Sequence, residues 1–90
     1  MLLAVDIGNT NIVFGCADED DKIVFFERIS TNHNATTAEY AVLIKTLLEM
    51  NGYKVDDVSD AILSSVVPSV TTTVVQAIKK FIPNFEHEEK

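Results

Sequence analysis

The sequence predicts an α/β fold in the order βββαβα: an antiparallel three-strand meander, a crossover helix, a strand parallel to the first, and a closing helix. Three observations predict it. Apolar runs at 2–5, 12–17 and 22–29 are separated by short polar breaks, the pattern of a meander. From Thr36 the apolar spacing changes to the period of a helix, and a second helical stripe follows Pro68. Between the two stripes, Ala61-Ile62-Leu63 is apolar but too short for a helix. The 90 residues read as a single small domain, 1–90, able to bury about two-thirds of its unfolded surface.

The first strand, Leu2-Leu3-Ala4-Val5, is apolar throughout, which predicts cover on both faces. It runs into Asp6-Ile7-Gly8-Asn9-Thr10-Asn11, and the second strand, Ile12 to Ala17, follows at once. So short a link predicts a hairpin, and Gly-Asn predicts the positive φ that tight hairpin turns demand. Such a turn presents consecutive backbone N–H groups, the Thr10 hydroxyl and the amides of Asn9 and Asn11, a concavity suited to phosphate. Asp6 stands beside it as a candidate ligand for a metal that bridges phosphate oxygens. On composition alone the stretch also reads as a hairpin turn that binds nothing, with Asp6 accepting turn N–H bonds. Gly15, inside the second strand, predicts close approach of a neighbouring group.

Asp18-Glu19-Asp20-Asp21 reads as a solvated turn, since the glycine and later glutamate of a calcium loop are missing. Lys22 to Ile29 closes the meander. In the polar link Ser30 to Ala35, His33 has no second histidine or cysteine at ligand spacing and reads as a surface residue. Thr36 with Glu39 predicts a capping box. Tyr40, Leu43, Ile44, Leu47 and Leu48 share one helical face, and Asn51-Gly52 predicts the stop. Asp56, Asp57 and Asp60 lead along the surface to the short strand 61–63, expected to be buried. Ser64 and Ser65 lack the glycines of a nucleophile elbow. They stand at a strand exit, where open α/β sheets bind ligands, so their hydroxyls are expected to face the same crevice as Thr10. Pro68 opens the second helix, with Val70, Val74, Ala77, Ile78 and Phe81 on one side and Pro83 as its end. The β-branched run Thr71 to Val75 argues against that helix. Glu86-His87-Glu88-Glu89-Lys90 reads as a frayed charged terminus rather than a metal cluster.

Fourteen acidic residues against seven basic ones give a net charge of −7. With no Lys/Arg cluster, nucleic acid is disfavoured as a partner, because that affinity rests on neutralising phosphates. The lone Cys16 allows no intrachain disulfide, in keeping with a reducing compartment. Asp6 interrupts the first apolar run too early for a signal peptide, and no run reaches membrane-spanning length. The expectation is a cytoplasmic protein with no membrane partner. Neither a Walker lysine motif nor a dinucleotide glycine fingerprint occurs.

Asp6-Ile7-Gly8-Asn9-Thr10-Asn11, then Arg28-Ile29-Ser30-Thr31, then Ser64-Ser65-Val66-Val67-Pro68 follow one another along the chain. The first of these resembles the first phosphate motif of the actin, Hsp70 and sugar kinase superfamily, in the form found in type III pantothenate kinases. The other two are similar to further segments of that family, in the expected order. The resemblance implies a ribonuclease-H-like half-domain of an enzyme that phosphorylates pantothenate from ATP in coenzyme A biosynthesis. It implies Mg2+ and a monovalent cation, K+ or NH4+, as cofactors, and a homodimer in the complete protein. Asp6, Gly8, Asn9, Thr10 and Asn11 would contact the ATP phosphates, with Ile7, Ile12 and Val13 as adjoining backbone and Asp6 on the magnesium. The family's catalytic aspartate, in a Gly-Ala-Asp-Arg segment, and its second phosphate loop have no counterpart here. No catalytic residue is therefore assigned, and the chain is expected to be an N-terminal domain, inactive without its second half. Two other readings stay open: a superfamily kinase for acetate or a sugar, and a non-catalytic accessory relative in transcriptional regulation.

Overall fold

The computed structural model describes residues 1–87. The expected charged terminus thus runs into residues that lie outside the described part. The elements are β1 (Leu2–Ile7), β2 (Asn11–Ala17), β3 (Ile23–Ser30), α1 (Thr37–Met50), β4 (Asp60–Ser65) and α2 (Pro68–Lys79), with one 3-10 turn at Val55–Asp57. The order is the expected βββαβα. The four strands form one mixed sheet in the order β3-β2-β1-β4. β1 is central, antiparallel to β2 and parallel to β4, from Leu2 opposite Asp60 to Ile7 opposite Ser65. A parallel pair needs a crossover, and α1 supplies it.

Local chemistry explains where each element stops. Asp18 accepts hydrogen bonds from Asp20 and Lys22 N–H through one carboxylate oxygen, folding the β2–β3 link into a turn with Asp21 at φ 60°. Thr36 Oγ1 accepts from Glu39 N–H at 3.2 Å while Glu39 accepts from Thr36 N–H at 3.0 Å, the expected capping box. Asn51 caps the far end of α1, and Gly52 takes the left-handed conformation, φ 86°, that unwinds it. Pro68 sits in the first turn of α2, where its missing N–H costs nothing. The β-branched run does not break α2. Thr71 Oγ1 donates to the Val67 carbonyl at 3.0 Å, which satisfies the buried hydroxyl of that run. The helix ends at Lys79, short of Pro83, and the turn that follows returns Phe85 to the core.

The core lies between one face of the sheet and the two helices. Leu3, Val5 and Ile7 alternate inward from β1 and meet Cys16, Phe14 and Ile12 of β2 in register. From α1 come Tyr40, Ile44, Leu47 and Leu48, and from α2 Val70, Val74, Ala77 and Ile78. The other face of the sheet carries no helix among the described residues, which corrects two expectations. β1 is not covered on both sides: Leu2 and Ala4 are half-buried and Asp6 is exposed. Ile62 of the supposedly buried β4 is 58% exposed. An apolar run records which residues tolerate burial, and the layer that would cover it need not lie in the same stretch of chain. On this open face the Phe26 ring lies over Gly15, where a Cβ would meet ring carbons at 3.2 Å. That is the close approach expected at Gly15.

Candidate phosphate-binding turn

The β1–β2 ladder runs from Leu2 opposite Ala17 to Ile7 opposite Ile12, so the link between strands reduces to Gly8–Asn11. Gly8 N–H donates to the Asn11 carbonyl at 2.8 Å. The reciprocal bond, Asn11 N–H to the Gly8 carbonyl, is not made. That carbonyl accepts from the Thr31 hydroxyl at 2.7 Å instead. The expected positive φ is also missing: among the described residues only Asp21 and Gly52 have it. Gly8 is needed for space rather than for φ, since a Cβ there would stand 3.0 Å from the Asn11 carbonyl oxygen.

The turn's carbonyls are taken, and the N–H groups of Asn9 and Thr10 are not. Asn9's carbonyl accepts from His33 Nε2 at 3.0 Å, and Thr10's from Thr31 N–H at 2.8 Å. Among the described residues nothing accepts from Asn9 or Thr10 N–H, and both residues are exposed. Asn11 is half-buried at the start of β2. Ile7 and Ile12 are fully buried, so only their backbone faces the turn, while Val13 emerges half-buried on the open face. His33 is exposed as expected, but its bond to the turn was not foreseen, nor were those of Thr31. Their partners stand more than twenty positions away, and only the β2–β3 register brings them together.

Asp6 is exposed on the open face at the carboxyl end of β1, and its carboxylate makes no hydrogen bond among the described residues. Across the sheet its row reads Arg28, Val13, Asp6, Ser64. Of the two serines expected at the crevice, Ser64 shares Asp6's face. Ser65 does not: it points to the helical side, where its hydroxyl accepts from Val67 N–H at 3.0 Å and shapes the entry to α2. A shallow groove of about 430 Å³ runs along the open face, apolar at Ala4, Gly15, Phe26 and Ile62 and polar at Asp6 and Ser64. The turn lies beyond that polar end and does not line the groove.

Asp6 is a lone carboxylate. No group of three metal-ligating side chains exists among the described residues. This donor set suits Mg2+, which keeps several waters and binds through one or two carboxylates plus phosphate oxygens, and does not suit a metal caged by protein alone. Cys16 is fully buried, and burial pushes its thiol up to about 11, with the N-terminal ammonium pulling weakly the other way. It is unreactive at neutral pH. No described helix is long and apolar enough to cross a membrane.

A family model described as type III pantothenate kinase matches residues 2–87, nearly the whole chain. The chain belongs to the type III pantothenate kinase family. It is 45% identical over 82 residues to the type III pantothenate kinase of Finegoldia magna, covering 91% of this chain and 31% of that protein. With that of Bifidobacterium adolescentis the identity is 48% over 82 residues, 91% of this chain and 32% of the relative. With that of Shouchella clausii it is 46% over 70 residues, 78% and 27%. The chain thus spans about a third of the length of the curated relatives it matches. Within the family match fall the turn, Asp6, and both residues that hold the turn's carbonyls, Thr31 and His33.

Proposed function

We propose that this chain is the ATP-phosphate-binding domain of a pantothenate kinase, the N-terminal part of an enzyme that phosphorylates pantothenate with ATP. The observation that carries the reading is the β1–β2 turn, whose Asn9 and Thr10 N–H groups have no acceptor among the described residues and whose neighbour Asp6 is a bare, exposed carboxylate. Phosphoryl transfer asks the protein mainly to position phosphates and spread their charge. In this reading Gly8, Asn9, Thr10 and Asn11 cradle the ATP phosphates, with Ile7, Ile12 and Val13 as the supporting backbone. Asp6 would hold Mg2+, whose chemistry is to neutralise charge on the phosphate oxygens when bound.

The pantothenate pocket and the general base are assigned to the remaining two-thirds of the relatives' length, and the complete enzyme is read as using a monovalent cation, K+ or NH4+, as well. The complete enzyme is read as a cytoplasmic homodimer with no nucleic-acid or membrane partner. The test is pantothenate-dependent ADP formation, with acetate and hexoses as competing substrates. The 90-residue chain should give none, while the chain joined to a relative's remaining two-thirds should turn over pantothenate alone. In that longer protein Asp6→Asn should lose the magnesium-dependent rate by at least about a hundredfold, the scale seen when one charge-stabilising group is removed. Turnover by the short chain, or an unaffected Asp6→Asn enzyme, would overturn the assignment.

A further inference from the structure

We infer that Thr31 and His33 are positioning residues that aim the turn's N–H groups at the phosphate; this rests on the turn being a phosphate site. Three successive carbonyls of the turn are held from one side: Gly8's by Thr31 Oγ1, Asn9's by His33 Nε2 and Thr10's by Thr31 N–H. A carbonyl only accepts, so His33 carries its proton on Nε2. In a planar trans peptide the C=O of one residue and the N–H of the next point in opposite directions, and no cis bond occurs among the described residues. Pulling these carbonyls toward the β3–α1 link therefore turns the N–H groups of Asn9, Thr10 and Asn11 the other way, outward together.

The link that does the pulling is itself anchored. Buried Tyr40 of α1 donates its hydroxyl to the Asn32 carbonyl at 2.8 Å and accepts from Asn32 N–H at 3.2 Å. Tyr40 thus fixes Asn32 from the core, and the residues on either side of Asn32 in the chain, Thr31 and His33, hold the turn. Without Thr31's hydroxyl, the Gly8 carbonyl is free to accept from Asn11 N–H, the ordinary closure of a two-residue hairpin link. That closure would turn one donor inward. Thr31 keeps the turn open to an anion before any ligand arrives, so the donors need no reorganisation on binding.

The test is amide hydrogen exchange and chemical-shift titration of the 15N-labelled chain with inorganic triphosphate and Mg2+. In Thr31→Val, exchange at Asn11 should slow roughly fivefold and triphosphate affinity should fall on the order of tenfold, the scale of one hydrogen bond. Thr31→Ser, which keeps the hydroxyl, should behave as wild type. His33 is exposed, so His33→Ala should fold normally and still bind several-fold more weakly, with His33→Gln restoring affinity. Unchanged Asn11 exchange in Thr31→Val, or full affinity in both Thr31→Val and His33→Ala, overturns the positioning role. If triphosphate moves no turn amide even in wild type, the phosphate reading fails, and the exchange measurement still decides whether Thr31 holds the turn open.

Discussion

The Gly8 result shows how a residue can be identified correctly for the wrong reason. Gly-Asn suggested a turn needing positive φ, and a turn is there, but glycine is required because the Asn11 carbonyl stands 3.0 Å from where a Cβ would sit. Gly8→Ala should therefore push the two strands apart at their end, costing about 1–3 kcal/mol as overpacking does, measurable by urea unfolding. Cys16 makes a second prediction at this scale. Its folded pKa, about 11, lies above the ordinary thiol value of 9.0 because burial disfavours the thiolate. The native state keeps the proton that the unfolded state releases, so stability is fully present below pH 9 and declines as pH rises toward 11. The loss should reach about 2–3 kcal/mol. Cys16→Ala should abolish that alkaline decline while lowering stability at neutral pH, and parallel curves for the two proteins would refute the cause.

Among the elements, α1 was the most legible because every signal for it is local. Thr36 and Glu39 lie three apart, the apolar stripe has one period, and Gly52 stands where the helix must unwind. The Thr36 N–H donated to its carboxylate, and after it the Thr36 hydroxyl, lower the Glu39 pKa, so the cap weakens as acid protonates Glu39. Thr36→Ala should cost about 1 kcal/mol of unfolding free energy at neutral pH, and an unchanged urea midpoint would contradict the capping role. The strands were legible in number and order but not in exposure. Alternation in β1 and β4 is masked by Leu2, Ala4 and Ile62, apolar residues on the side that faces no helix. The candidate site was legible where it is contiguous, from Asp6 to Asn11, and at Ser64, which its strand exit pointed to. The bonds of Thr31 and His33 to the turn were not, because they depend on strand register, which hydrophobic pattern alone does not specify here.

At the scale of the whole molecule, the open sheet face sets behaviour in solution. Ile23, Phe26 and Ile62 are 53%, 64% and 58% exposed, and β4 is an edge strand. Such a face invites association. Sedimentation of the 90-residue chain should show self-association that rises with concentration, and Ile62→Lys should shift it toward monomer. A wild-type chain that stays monomeric up to millimolar concentration would contradict this. The central place of β1 has a further consequence, in time rather than space. Its partner on one side, β2, is contiguous and can zip within microseconds, whereas β4 arrives more than fifty residues later and docks only after α1 has spanned the gap. Refolding should accordingly be limited by the arrival of that last strand: truncating the apolar face of α1 at Ile44 should slow the folding limb of a chevron, and the β1–β2 bend should already be shaped while the chain is still searching for its remaining edge.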